Sequence, residues 1–376
     1  MRRLADLCEA VTVGHVGKTS QYYRAEGVPF LRTQNVGAGE LALDDLKFIT
    51  QEFHETLKKS QLKPGDVLVT RVVTDEMKCG IVPTSLGRAN CANVILIRPK
   101  PELSPEFLSY LITSPAAQSY LLERRVGSAQ QVVNTKVLKD WPVPKLPIEE
   151  QKRIVALLDQ AFAALDRARA HAEANLADAT ALLSNWVSAT FAASKGIWRE
   201  KSLVDVCENL DRLRVPITKS DRESGTVPYY GASGVVDHVA AHIFDEDLLL
   251  VSEDGANLLA RTYPIAFSIA GKAWVNNHAH VLRFDDLDTQ EFVRLYLNSI
   301  SLEPFVTGMA QPKLNQKALN GIPIPLPEIT EQRRLVAQAR EIGEASERAR
   351  DRYDLQIADL TNLRQSLLQK AFSGQL

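Results

Sequence analysis

Two stretches of the chain carry the same hydrophobic rhythm. Apolar or small side chains fall at Ile154, Leu158, Ala161, Leu165, Ala168, Ala172, Leu176, Ala179, Leu183 and Trp186, close to alternating steps of four and three. The spacing returns at Leu335, Ala339, Ile342, Ser346, Ala349, Tyr353, Ile357, Leu360, Leu363 and Leu367. Such a seam predicts a long helix that buries one stripe against another helix. Pro142, Pro144 and Pro147 forbid helix before the first seam, as Pro323, Pro325 and Pro327 do before the second. Glu149 and Glu150 then suit the positive end of the helix dipole. About 45 residues at roughly 1.5 Å rise give a rod on the order of 65 Å. Neither rod can bury its stripe alone, and antiparallel pairing of the two within one chain would hold whatever flanks them apart. Ordinary core packing or homodimerisation would produce the same stripes. Gly343 and Ser346 thin the second seam, at a place where a partner protein could dock.

Outside the seams the period shortens. Asp66–Thr70, Asn93–Ile97, Leu248–Val251 and Ala279–Arg283 are short β-branched or aliphatic runs that predict strands. Glu106–Leu111 and Glu291–Tyr296 predict matching helices after them. The matching is systematic. Gly127, Gln130, Asn134, Lys136 and Leu138 reappear 181 positions later as Gly308, Gln311, Asn315, Lys317 and Leu319, followed by Pro-x-Pro and Glu-Gln-x-Arg in both copies. A second register, offset 199, relates Leu4, Asp6, Cys8 and Glu9 to Leu203, Asp205, Cys207 and Glu208, and Val28-Pro29-Phe30 to Val227-Pro228-Tyr229. Internal repetition on this scale organises the chain as module, helix, module, helix, with segments 1–145, 146–195, 196–326 and 327–376. Identical register in both seams is what a pseudo-two-fold axis requires. The expected fold is therefore α/β: two similar mixed α/β domains joined by two long antiparallel coiled-coil helices.

With 376 residues, each module has room for a full core. No apolar run approaches the roughly 20 residues needed to cross a bilayer, and Met1-Arg2-Arg3-Leu4-Ala5-Asp6 lacks the apolar stretch of a signal peptide, so a cytoplasmic location without membrane contact is expected. Cys8, Cys79, Cys91 and Cys207 are scattered with no C-x-x-C pair, which fits reduced thiols.

Two strings in the second module, Ser252-Glu253-Asp254-Gly255-Ala256-Asn257-Leu258 and Gly271-Lys272-Ala273-Trp274-Val275-Asn276-Asn277-His278-Ala279-His280-Val281, stand beside the paired Gly-x-Ala-Gln…Asn segments. With them the chain resembles, over essentially its whole length, the specificity subunits of type I restriction-modification systems. The resemblance implies two target-recognition domains that each read half of a bipartite stretch of double-stranded DNA. It also implies helices that set the gap and dock two methyltransferase subunits, which use S-adenosylmethionine, with restriction subunits joining where present. It implies no catalytic centre and no cofactor of the chain's own. The modules differ, Thr70-Arg71-Val72-Val73-Thr74 standing against Ser252-Glu253-Asp254-Gly255, so an asymmetric target is expected.

Base edges in the major groove are read by Arg or Lys at guanine, Asn or Gln at adenine and carboxylates at cytosine. The first module offers Arg32, Gln34, Asn35, Arg71, Thr74, Lys78, Gln130 and Gln131. The second offers Tyr229, Tyr230, Ser233, Glu253, Asp254, Asn257, Arg261, Gln311 and Lys313. Any one of these could equally be a turn residue. Charge qualifies the picture: the whole chain is at -2, segment 1–145 has 19 basic against 15 acidic side chains, and segment 196–326 has 12 against 17. The acidic second module should hold DNA poorly unaided, so nanomolar target binding by the isolated chain would contradict this expectation.

Catalytic alternatives are weaker. Asp66 with Glu76 and Lys78 evokes a magnesium nuclease, but Gly65 interrupts the pattern and the second module has no counterpart. His278-x-His280 could supply two metal ligands, yet no cysteine lies near to complete a zinc set. No Asn/Asp-Pro-Pro-Tyr/Phe string is present to hold a flipped base, and Gly37-Ala38-Gly39 lacks a G-x-G-x-x-G context. A pure protein scaffold remains the non-enzymatic rival.

Overall fold

The computed structural model describes residues 1–72, 75–127, 131–308 and 311–375. The chain divides into two compact units, Met1–Glu173 with Leu355–Leu376, and Ala174–Asp354. Two long helices, Ile148–Ala193 and Ile329–Phe372, contribute to both, each unit taking one part of either helix.

In the first unit the strands Cys8–Val13, Val94–Pro99, Val67–Thr70 and Cys79–Ile81 form an antiparallel sheet in that order. Its middle strands are apolar from Val67 to Val69 and from Val94 to Ile97, where both faces are covered. Val67, Val69, Ile95 and Ile97 face a core completed by Phe107 and Leu111 of the Pro105–Thr113 helix. Leu68, Val94 and Leu96 face the opposite way, into a cluster with Leu31, Leu62 and Cys91. Those last residues belong to a second sheet, in which Val28–Leu31 runs parallel to Ala89–Cys91.

The second unit repeats the scheme. Glu208–Asn209, Ala279–Arg283, Leu248–Ser252 and Ala266–Ile269 form the corresponding antiparallel sheet. Leu249, Val251 and Leu282 point to a core with Phe292 and Leu295 of the Leu287–Ser299 helix, while Leu248, Leu250 and Val281 point to the other face. Ser224–Gly231 lies parallel to Lys272–Val275, as Val28–Leu31 does to its partner.

The repeated motif has a structural reading at each position. The Pro-x-Pro strings are short strands, Pro142–Val143 pairing with Arg2–Arg3 and Pro323–Pro325 with Glu200–Ser202. Asn134 and Asn315 cap the short helices Thr135–Asp140 and Gln316–Asn320, each accepting the N–H three residues on at 3.0 Å. Leu138 and Leu319 of those helices are fully buried. At the start of each long helix, Glu150 pairs with Arg153 at 2.8 Å and Glu331 with Arg334 at 2.6 Å. The intervening Gln151 and Gln332 are buried, and each donates to a backbone carbonyl five residues back, Leu146 and Pro327.

Within each unit the two helices pair antiparallel, with equivalent positions exchanging roles. Ile154, Leu158 and Phe162 share a core with Leu367, Leu368 and Ala371 in the first unit. Leu335, Val336 and Ala339 share one with Leu183, Trp186 and Val187 in the second. The predicted seam departs from the structure at its end: Leu363 is 47% exposed, and the stripe continues through Arg364 and Leu368. Four-residue steps there follow the 3.6-residue turn rather than a strict heptad.

Candidate nucleic-acid interface

Each unit brings two sequence-distant segments together at one exposed edge. In the first, Val72, just beyond the Val67–Thr70 strand, bridges Val132, which also bridges Val126, and Val133 N–H donates to the Arg71 carbonyl. In the second, Asp254, just beyond Leu248–Ser252, bridges Lys313, which also bridges Thr307. Val126 and Val132 are related to Thr307 and Lys313 by the offset of 181, so the same pair of bridges recurs in equivalent places. The turn that carries Arg71 thus lies beside segment 131–133, which begins at Gln131, in one unit, and Asp254 lies beside Lys313, two residues after Gln311, in the other. Lys78 joins the first group, its backbone N–H donating to Thr70 Oγ1 at 2.9 Å while its side chain is exposed. Gln34 is exposed and donates to Asp45, and Arg32 is half-buried above the Tyr23 ring. Ser233 is exposed, and its neighbour Ala232 accepts the Ser252 hydroxyl, placing it near the second unit's turn. Tyr230 is half-buried. Thr74 and Gln130 lie outside the described residues.

Five of the expected contact residues hold partners inside their own unit. Asn35, 2% exposed, donates to the carbonyls of Ala42 and Asp45 and accepts the Arg32 N–H, so it closes its own turn. Tyr229, 1% exposed, is a core residue with Arg222 stacked on its ring. Asn257 accepts the N–H groups of Thr262 and Tyr263, tying the turn that follows it. Arg261, in a left-handed conformation at φ 54°, donates to the carbonyls of Leu297 and Ile300 at the end of a helix. Burial pushes its guanidinium below its usual range. Glu253, 8% exposed, accepts from Arg214 at 2.6 Å and pairs with Lys313 at 3.1 Å.

Glu253 belongs to a buried network that sequence reading missed. His280, fully buried, has Nδ1 2.6 Å from Asp211 Oδ2 and Nε2 2.8 Å from the Leu314 carbonyl. The ring is thus held from both sides, by a carboxylate and by a backbone carbonyl. Asp211 also accepts the Val281 N–H at 2.9 Å, and Arg214 lies 3.4 Å away. Burial pushes the Asp211 carboxyl up, but the His280 hydrogen bond and charge, the Val281 N–H and Arg214 together hold it below its usual range. Glu253 is likewise raised by burial and lowered further by Arg214, His280 and Lys313. Asp211, Glu253 and His280 lie close enough to hold a cation, but Arg214 and Lys313 already supply the positive charge, and the arrangement reads as an ion-pair network. It fixes the segment that carries Lys313. His280 was visible as a candidate in the sequence; Asp211, 69 positions away, left no local signal. His278 is half exposed and meets Asp254 at 2.7 Å.

Asp66 is committed as well. Only 1% exposed, it accepts Arg98 Nε and Nη2 at 2.7 Å each and the Lys63 N–H at 2.7 Å. The carboxylate hydrogen bond from Asp66 raises Arg98 above its usual range. A carboxylate saturated by a guanidinium fork is unsuited to holding magnesium. Burial pushes the Cys8, Cys91 and Cys207 thiols up to about 12 and Cys79 to about 11, far from nucleophilic use. Among the described residues, no helix is long and apolar enough to cross a membrane.

The model of the type I restriction modification DNA specificity domain matches residues 1–173 and again 196–338. This chain belongs to that family. A putative type I restriction enzyme specificity subunit of Haemophilus influenzae is 35% identical to this family member over 136 residues, 36% of this chain and 35% of that protein. The EcoBI specificity subunit of Escherichia coli is 32% identical over 142 residues, 38% of this chain and 30% of that protein. The matches therefore span about a third of those relatives. Among solved structures, the HsdS subunit of Thermoanaerobacter tengcongensis superimposes with a TM-score of 0.65 at 20% identity, over 100% of this chain and 96% of that one. A chain from a structure concerned with complex assembly and conformational transition of the type I R-M system reaches 0.75 at 19% identity, over 100% and 97%. The fold of this specificity-family chain is thus shared from end to end.

Proposed function

We propose that the chain is the DNA sequence-specificity subunit of a type I restriction-modification complex, reading a bipartite, asymmetric duplex target with one half-site per unit. The observation that carries this reading is the recurrence of the same bridged segments in equivalent places with different side chains. Equivalent placement supports the same task, and different side chains support different half-sites. In the first unit Arg32, Gln34, Arg71, Lys78 and Gln131 are the proposed contacts, a set rich in donors suited to guanine and adenine edges. In the second they are Tyr230, Ser233, Asp254, Gln311 and Lys313, with Lys313 partly neutralised by Glu253. Half-sites about one helical turn apart suit two modules held by helices of fixed length. The helices dock methyltransferase subunits that bring S-adenosylmethionine, and this chain supplies target choice without chemistry of its own. The acidic second segment fits a subunit whose partners provide much of the phosphate contact.

The test is the methylation pattern in a host that expresses the chain with its cognate methyltransferase subunits. Two unlike half-sites separated by a fixed number of unread bases are expected. A continuous palindrome, or methylation unchanged when the chain is removed, would refute the reading.

A further inference from the structure

The second unit holds a cavity of about 240 Å³ where the Leu287–Ser299 helix meets the two long helices. Leu183, Leu295, Val336, Ala339 and Gly343 line it on the apolar side, and Arg340, Glu344, Glu347 and the paired Glu291 and Arg294 line the rest. The first unit shows what occupies the same place there. At the offset of 181, Gly343 corresponds to Phe162, Leu183 to Arg364, Arg340 to Asp159 and Glu347 to Asp166; Leu295 corresponds to Tyr110 in the matched helices. Those five residues form one packed cluster. Phe162 is 3% exposed, meets the Tyr110 ring edge-on at 5.4 Å and carries the Arg364 guanidinium on its face at 4.1 Å. Arg364 in turn pairs with Asp166 at 2.8 Å, and the Tyr110 hydroxyl donates to Asp159 at 2.5 Å.

In the second unit the ring is replaced by hydrogen and the arginine by leucine, so the pocket is unfilled and Glu347 has lost its cation. Arg340 and Glu347 are exposed, and neither has an ion pair among the described residues. The geometry points to an aromatic side chain with an adjacent Lys or Arg, donated by a partner polypeptide, seated in the second unit's cavity as Phe162 and Arg364 are seated in the first. Buried aromatic anchors beside a basic residue are the usual source of affinity at such pockets. The site makes the two units unequal docking positions, because only the second needs an anchor from outside. It deepens the docking part of the proposed function and rests on that reading for where the partner comes from, not for the pocket's preference.

N-acetyl-phenylalanyl-arginine amide is the probe, titrated into the full-length chain while the methyl resonances of Leu183, Leu295 and Val336 are followed by NMR. Ring-current shifts at those methyls are expected with this probe and not with its alanyl-arginine analogue. Gly343→Phe fills the space from within, since a Cβ at Gly343 meets Leu183 at an ordinary 3.6 Å. It should weaken probe binding at least tenfold while raising the Tm of the unit. Glu347→Gln, an exposed change that leaves the cavity intact, should abolish the preference for phenylalanyl-arginine amide over phenylalanine amide. Absence of shifts at saturating probe, or equal shifts in Gly343→Phe, would overturn the proposal. So would a concentration-dependent dimer that Gly343→Phe dissolves, which would make the occupant a second copy. Failure of methyltransferase subunits to co-purify with the wild-type chain would instead count against the docking role.

Discussion

Asp211→Ala lowers the stability of the Ala174–Asp354 unit by about 3–5 kcal/mol, the cost of removing one member of a buried, hydrogen-bonded charge network. The substitution leaves the His280 Nδ1–H without its acceptor, orphans the Val281 N–H and strips Arg214 of one of its two carboxylates. His280 is fully buried, so its ring loses that partner in the interior of the unit. Thermal or urea unfolding of the full chain shows the loss in the transition of this unit, while the other unit's transition stays put. The effect depends on pH with a definite sign. Asp211 and Glu253 are both held below their usual ranges in the folded state. Their stabilisation is complete above the unfolded carboxyl values of about 4 and disappears as pH falls through the depressed folded values. The Tm difference between wild type and Asp211→Ala is therefore constant near neutrality and shrinks below about pH 4. A difference that grew on acidification would contradict this account of the network.

Asp66→Ala is the second large effect, also about 3–5 kcal/mol, because the partly buried Arg98 guanidinium loses both of its carboxylate contacts and the Lys63 N–H loses its acceptor. The same substitution separates two readings of the residue. As a structural anchor, Asp66 controls the unfolding transition of the Met1–Glu173 unit and has no bearing on DNA cleavage. As a nuclease ligand, it would control magnesium-dependent cleavage by the purified chain. We expect a lowered Tm and no cleavage in either protein; cleavage by the wild type that disappears in Asp66→Ala would reverse the assignment.

The long helices were legible because a helix writes its burial into local spacing: the predicted seam of the first helix is buried or half-buried at each named position. The twofold repetition was legible for a similar reason, since caps such as Asn134 and Asn315 and the Pro-x-Pro strands need particular residues at fixed offsets. The apolar runs named as strands are strands, close to the predicted bounds. Long-range pairing was not legible. Nothing local shows that Val28–Leu31 runs beside Ala89–Cys91, or that Asp211 reaches His280.

The candidate site was legible as a pair of loop clusters but not as individual residues. Asn, Arg and Glu on a loop serve a base edge and a turn's own backbone with the same atoms, so Asn35, Asn257, Arg261 and Glu253 could not be sorted by type. Tyr229 could have been, because Val227, Tyr229 and Gly231 alternate with Pro228 and Tyr230 along one strand, the first set buried and the second half-exposed. A period of two therefore places Tyr229 inside and Tyr230 outside.

Half-site exchange tests most directly whether each unit reads its own piece of duplex. Segment 196–326 is replaced by the corresponding segment of a family member with a different target, and the methylated motif is sequenced in the host. One half of the motif should change while the other half and the spacing stay as they were. A motif that changes in both halves, or in neither, would contradict the account.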